Sequence, residues 1–168
     1  MKKTIRLPKK YIPKHLTDED REKWAKQIQK TNSSYKKGVY RTRKNVKSYK
    51  HKASPHIKKA LKIYNLDKIT SGNTKKTRFK ELSKKSKCSV KSLNKIYAKG
   101  SAAWFSGSRP NQTQSSWGIA RVASAVSGGK SSYIDRHELM DGCKKNSLAL
   151  RLMRKNKVRK SQKRNVRV

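Results

Sequence analysis

Between Ser101 and Gly129 the chain carries two charged residues, Arg109 and Arg121, and no acid. The chain before this stretch and beyond residue 143 is crowded with lysine and arginine. A packed core is least costly here, because burying unpaired charge is expensive. The whole chain of 168 residues has 47 Lys and Arg against 9 Asp and Glu, a formal net charge of +38. Charge divides it into three parts: 32 basic and 6 acidic residues over 1–100, 4 and 3 over 101–143, and 11 and none over 144–168. Apolar residues make up 32%, against roughly 45–50% in an ordinary globular domain. That is too little to order the full length when each ordered residue costs about 1–2 kcal/mol of backbone entropy. The expected architecture is mainly α: a small helical domain, made of a helix-turn-helix-like unit plus a Trp/Gly-rich helical core, with extended basic N- and C-terminal arms. The expected divisions are an arm over 1–16, basic helices and a Tyr/Lys-rich loop over 17–76, a compact helical core over 77–143, and a basic helix and tail over 144–168.

Local signals place the elements. Pro8 and Pro13 oppose helix in the first arm, and Ile5, Leu7, Tyr11 and Ile12 are suited to a partner's groove. Thr17 can cap a helix whose first turn holds Asp18, Glu19 and Asp20, where the helix dipole favours negative charge. Trp24 and Ile28 give that helix one apolar face. Residues 31–53 have no apolar period, and Tyr35, Tyr40 and Tyr49 alternate with Lys36, Lys37, Arg41, Arg43 and Lys44. Such a pattern suits a segment lying along a phosphate backbone with rings free to stack; the alternative is a solvated loop whose tyrosines pack on the domain. Ser54 and Pro55 open a second helix with Ile57, Ala60, Leu61 and Tyr64 on one stripe.

The stretch "FKELSKKSKCSVKSLNKIYAKG" (79–100) reads as two short helices, the second capped by Ser89 and ended by Gly100. Ser83 is the small residue between them, with Leu82, Cys88, Val90, Leu93 and Ile96 in the apolar places of a helix-turn-helix. Lys87 departs from the motif, standing where glycine would supply a positive φ. Lys91, Ser92, Asn94 and Lys95 would then face a groove; a plain helical hairpin that binds no nucleic acid is the alternative. In the neutral stretch, "QSSWGIARVASAV" reads as a helix whose small residues admit a close neighbour, stopped by Gly128-Gly129. Ile134, Leu139 and Met140 of "YIDRHELMDGC" are expected to turn inward. Trp104, Arg109, Trp117 and Arg121 are expected to serve docking or the core.

Several function classes fall away. Two cysteines, Cys88 and Cys143, cannot make a disulfide framework or a four-cysteine zinc site, and a reducing compartment is the default. No apolar run follows the basic start, and none approaches the roughly 20 residues of a membrane span. The residues call for no cofactor and no metal. "SGGKSS" (127–132) lacks the first glycine of a phosphate loop, with Ser124 in its place, so a helix stop is the better reading. Asp135, His137 and Cys143 could be dressed as a nucleophile set, but Asp135 and His137, two apart, point to different sides of a helix. A non-enzymatic role is expected.

The block "KIYAKGSAAWFSGSRPNQTQSSWGIARVASAVSGGK" resembles a motif block in an uncharacterised protein family of large DNA viruses of algae and protists, with similar blocks in tailed phages. The resemblance rests on Tyr97, Gly100, Trp104, Gly107, Ser108, Arg109, Pro110, Trp117, Ala120, Arg121, Val122, Gly128 and Gly129, and covers about 79–143. It implies a viral context, and hence either a virion component or a nucleic-acid-associated protein. The leading expectation is a minor capsid or internal virion protein, located in the virion, with the cysteine count placing its synthesis in a reducing cytoplasmic or nuclear compartment. Other capsid proteins, nucleic acid and a peripheral contact with anionic membrane are the partners to expect. The tail "RLMRKNKVRKSQKRNVRV", with Arg154, Lys155, Arg159, Lys160, Lys163 and Arg164, would gain order on a polyanion. The other reading is a DNA- or RNA-binding protein of nucleoid, transcriptional or ribosomal type, using 79–99 and the tails.

Overall fold

The computed structural model describes residues 5, 7, 11–50, 53–105 and 113–156. Thr17 caps the first helix as its sequence predicts, its side chain accepting from the Asp20 amide at 3.4 Å. This helix, α1 (Asp18–Lys36), runs further than expected, so Tyr35 and Lys36 lie on its last turn rather than in a loop. Trp24 and Ile28 are buried on its apolar face, and Leu7, Tyr11, Leu16, Val46 and Tyr49 cover them. The described part of the first arm therefore packs on its own α1, with the Trp24 indole donating to the Tyr11 carbonyl. Two buried side chains on α1 needed a lid, and the nearest apolar residues in the chain supply it.

Seven more helices follow among the described residues: α2 (Pro55–Tyr64), α3 (Lys80–Ser86), α4 (Val90–Phe105), α5 (Gln114–Val126), α6 (Lys130–Ile134), α7 (Arg136–Gly142) and α8 (Leu148–Lys155). The neutral stretch supplies the centre. α5 buries Gly118, Ala120 and the run Val122–Val126, and α2, α4, α6, α7 and α8 all touch it. Ala60 and Tyr64 of α2 join this same core, Tyr64 donating to the Val126 carbonyl at 2.7 Å. Small residues let α4 and α5 cross closely. A Cβ on Gly100 would lie 2.8 Å from Gly118 Cα. This contact explains why Gly100, expected to end its helix, sits inside α4.

The remaining expectations divide. α5 ends at Val126 and Gly128 takes φ +70, as a helix stop there requires. Lys87 takes φ +56 between α3 and α4 without being glycine. The acidic-started helix over 133–143 is instead broken at Asp135 into α6 and α7, and Tyr133, Ile134 and Met140 lie outside, the last two 52% and 59% exposed. Only Leu139 of the three expected residues is buried. The cause is Asp135, fully buried and held by Arg121 through two 2.8 Å bonds, Nε to Oδ2 and Nη2 to Oδ1. The two cysteines, 55 residues apart, form a disulfide that fastens the α3–α4 turn to the end of α7. Beside it the Ser89 amide donates to Gly142 O and the Lys144 amide to Lys87 O.

Candidate functional site

The expected phosphate contacts do not gather on α4. Lys91 and Lys95 are exposed there, but they share a cleft of about 150 Å³ with Glu138 and Asp141 of α7. Asn94 is half-buried and its amide donates to the carbonyls of Lys75 and Val90, at 2.6 and 2.9 Å. Glu138 accepts from Lys99, which holds its carboxyl below the usual value. The outer face of α4 is thus flanked by acids of a neighbouring helix.

Charge converges instead on the turn before α4. Lys84 and Lys85 end α3, and Lys87 follows in the left-handed turn. The 2.9 Å bond from the Lys144 amide to the Lys87 carbonyl brings Lys144 and Lys145 beside them. All five lysines are exposed. Lys84 also meets Glu81 at 3.1 Å. Residues 84–87 and 144–145 form one cationic ridge in space, held by the disulfide and two backbone bonds against like-charge repulsion. Sequence reasoning missed this ridge, because only the pairing of Cys88 with Cys143 announces it. Lys84 and Lys85 also satisfy the negative end of α3.

The tyrosine segment splits. Tyr49 stacks on Trp24 with ring centres 5.5 Å apart, and burial pushes its hydroxyl pKa up. Tyr40 is 63% exposed, edge-on to Tyr35 at 5.8 Å and to Phe105 at 5.1 Å. Lys36, Lys37, Arg41 and Lys44 lie around it and are exposed. Arg41 is steadied by a 2.8 Å bond from its Nε to Ser34 Oγ.

Arg43, expected on a phosphate at the surface, is inside. It is 8% exposed, with Nη1 donating to Thr31 Oγ1 at 3.4 Å and Nη2 to the Trp104 carbonyl at 3.1 Å. Its guanidinium lies 4.0 Å from the centre of the Trp104 ring. Burial pulls its pKa down to about 10, which still leaves it charged at neutral pH. The side chain bridges Thr31 of α1 and Trp104 at the end of α4, so packing of Trp104 draws it in. Trp104 is buried, while Arg121 and Trp117 are half-buried. Arg154 and Lys155 are exposed at the end of α8. Arg109, Arg159, Lys160, Lys163 and Arg164 lie outside the described residues.

No curated protein and no solved structure matches this chain. The profile of a family of unknown function, DUF5824, matches residues 2–146, and the chain belongs to that family.

Proposed function

We propose that this protein is a non-enzymatic binder of nucleic acid, and that its setting is the particle of a large DNA virus, as a minor capsid or internal component. The observation that carries the binding is the ridge of Lys84, Lys85, Lys87, Lys144 and Lys145. Like charges held together by a disulfide and backbone bonds repel in the free protein, and a phosphate backbone relieves that repulsion with release of its counterions. Nine acids cannot neutralise 47 bases, and the six ion pairs among the described residues already use six of them. The exposed Tyr40, ringed by cations, adds a surface on which unpaired bases can stack. The virion setting rests on the resemblance over 79–143, and synthesis in a reducing compartment on the count of two cysteines. Both cysteines of the disulfide are buried.

The non-enzymatic reading is supported by what the candidate nucleophile set is doing. Asp135 is taken by Arg121 and Cys143 by Cys88. The exposed corner of Tyr133, Ile134 and Met140 favours a second contact, with a protein neighbour such as a capsid subunit. The test is fluorescence anisotropy with a labelled DNA duplex across a salt series. Affinity should fall by roughly 10³–10⁵ between 50 and 200 mM salt if about 6–10 phosphates are contacted. Replacing Lys85, Lys87 and Lys145 together by Glu should reduce both the affinity and the slope. An unchanged slope in that variant rejects the ridge as the binding surface.

A further inference from the structure

Arg43 is a buried cation without a counter-charge. A guanidinium has five N–H donors; one serves Thr31 Oγ1, one the Trp104 carbonyl, and the buried Nε has no hydrogen-bond partner. The face of the Trp104 ring offsets part of the lost hydration, but a buried charge is ordinarily completed by an acid. None of the ion pairs among the described residues includes Arg43.

The same side chain lines a cavity of about 260 Å³ between α1, the 42–45 segment, the end of α4 and the start of α5. Trp24 and Trp104 contribute apolar wall, Asn45 an amide, and Gln114 and Ser115 the first turn of α5. α5 is 13 residues long, so its positive end is well developed. Its capping box uses the Ser116 amide, bonded to Thr113 Oγ1 at 3.1 Å, and does not use the amides of the first two helical residues, Gln114 and Ser115, which both line the cavity. Successive backbone amides at a helix start are suited to a tetrahedral oxyanion.

We propose that this cavity is a binding site for a phosphate group, with Arg43 supplying the counter-charge and the Gln114 and Ser115 amides the hydrogen bonds. It is separate from the lysine ridge. The phosphate is either one unit of a nucleic-acid backbone or a free phosphate ester, and both present the same oxyanion. Its floor is the buried Trp24, Arg43 and Trp104 and its mouth the exposed Thr42, Asn45 and Ser115, whereas all five lysines of the ridge are exposed.

The experiment is a titration of the full, ¹⁵N-labelled chain with inorganic phosphate, exchanged against chloride at constant ionic strength. Saturable shifts at the Gln114 and Ser115 amides and the Arg43 side-chain N–H support the site. Arg43→Met should abolish them. Gln114→Pro removes one amide at a helix position that accepts proline, and should weaken phosphate by roughly tenfold, the scale of one hydrogen bond to a charged group. If a DNA oligonucleotide shifts the same signals and phosphate displaces it, the ligand is a backbone phosphate. If phosphate binds there and the oligonucleotide leaves the signals in place, the ligand is a small phosphate ester. The proposal is overturned if those signals do not respond, or respond alike in the wild type and both variants, as diffuse binding to surface lysines would give. DNA binding that persists with a silent cavity would overturn this site alone and leave the ridge standing.

Discussion

Replacing Gly100 by alanine sets two effects of known size against each other. In an exposed helix interior, glycine is about 1 kcal/mol less favourable than alanine, so the substitution would stabilise α4. At the crossing with α5 the new methyl would lie 2.8 Å from Gly118 Cα and 3.0 Å from Arg121 Cβ. The first contact is to backbone and falls about 1 Å short of the usual 3.5–4.0 Å between carbons. No rotamer change relieves it, so the helices must separate. Overpacking of this kind costs about 1–3 kcal/mol. Separation also displaces Arg121, whose two bonds to Asp135 tolerate little movement. The expected net loss is about 1–2 kcal/mol. Urea unfolding followed by tryptophan fluorescence and by circular dichroism measures it, with the m-value confirming an unchanged extent of unfolding. Ala102→Gly, at an exposed position of the same helix, is the control and should cost about 1 kcal/mol by propensity alone. A Gly100→Ala protein more stable than wild type by about 1 kcal/mol would refute the close crossing.

Other outcomes follow from the same contacts. Asp135→Ala should destabilise by about 3–5 kcal/mol, since it leaves Arg121, whose side chain is 18% exposed, without its partner; a loss under about 1 kcal/mol in thermal unfolding would show that the pair is solvated. Reducing the Cys88–Cys143 bond, which spans 55 residues, should cost about 4 kcal/mol by chain entropy, and a urea midpoint unmoved by reductant would contradict the bond. Asp20 and Glu138 both sit below their ordinary values of 3.8 and 4.5, chiefly because the Ser48 hydroxyl and Lys99 donate to them. The unfolded chain then takes up protons first as pH falls, so their contribution is complete above those ordinary values and is lost as pH drops through the lowered ones. Asp20→Asn and Glu138→Gln should each flatten the acid limb of Tm against pH, and an unaltered limb would rule out that origin.

Features set by neighbours in the chain were legible from sequence. The Thr17 cap, the α2 stripe of Ala60 and Tyr64, and the small-residue face of α5 depend on spacings of three and four residues, and each lies where its pattern puts it. Features set by distant partners were not. Arg43 reads as a surface cation until Trp104, 61 residues on, is seen to receive it. Ile134 and Met140 read as buried on a single helix, and they face outward because Asp135 interrupts that helix to reach Arg121. The lysine ridge joins two segments more than fifty residues apart. Charge density gave its existence no sign, because lysines are dense nearly everywhere.

The bond between Cys88 and Cys143 also turns α4, α5, α6 and α7 into a covalent ring. A protease cutting once between Ser89 and Gly142 would open that ring without dividing the molecule. The nicked protein would migrate as one species on a non-reducing gel and as two after reduction. Damage inside the ring therefore leaves both halves of the lysine ridge tethered at their point of contact, so the cationic surface outlasts the continuity of the chain that displays it.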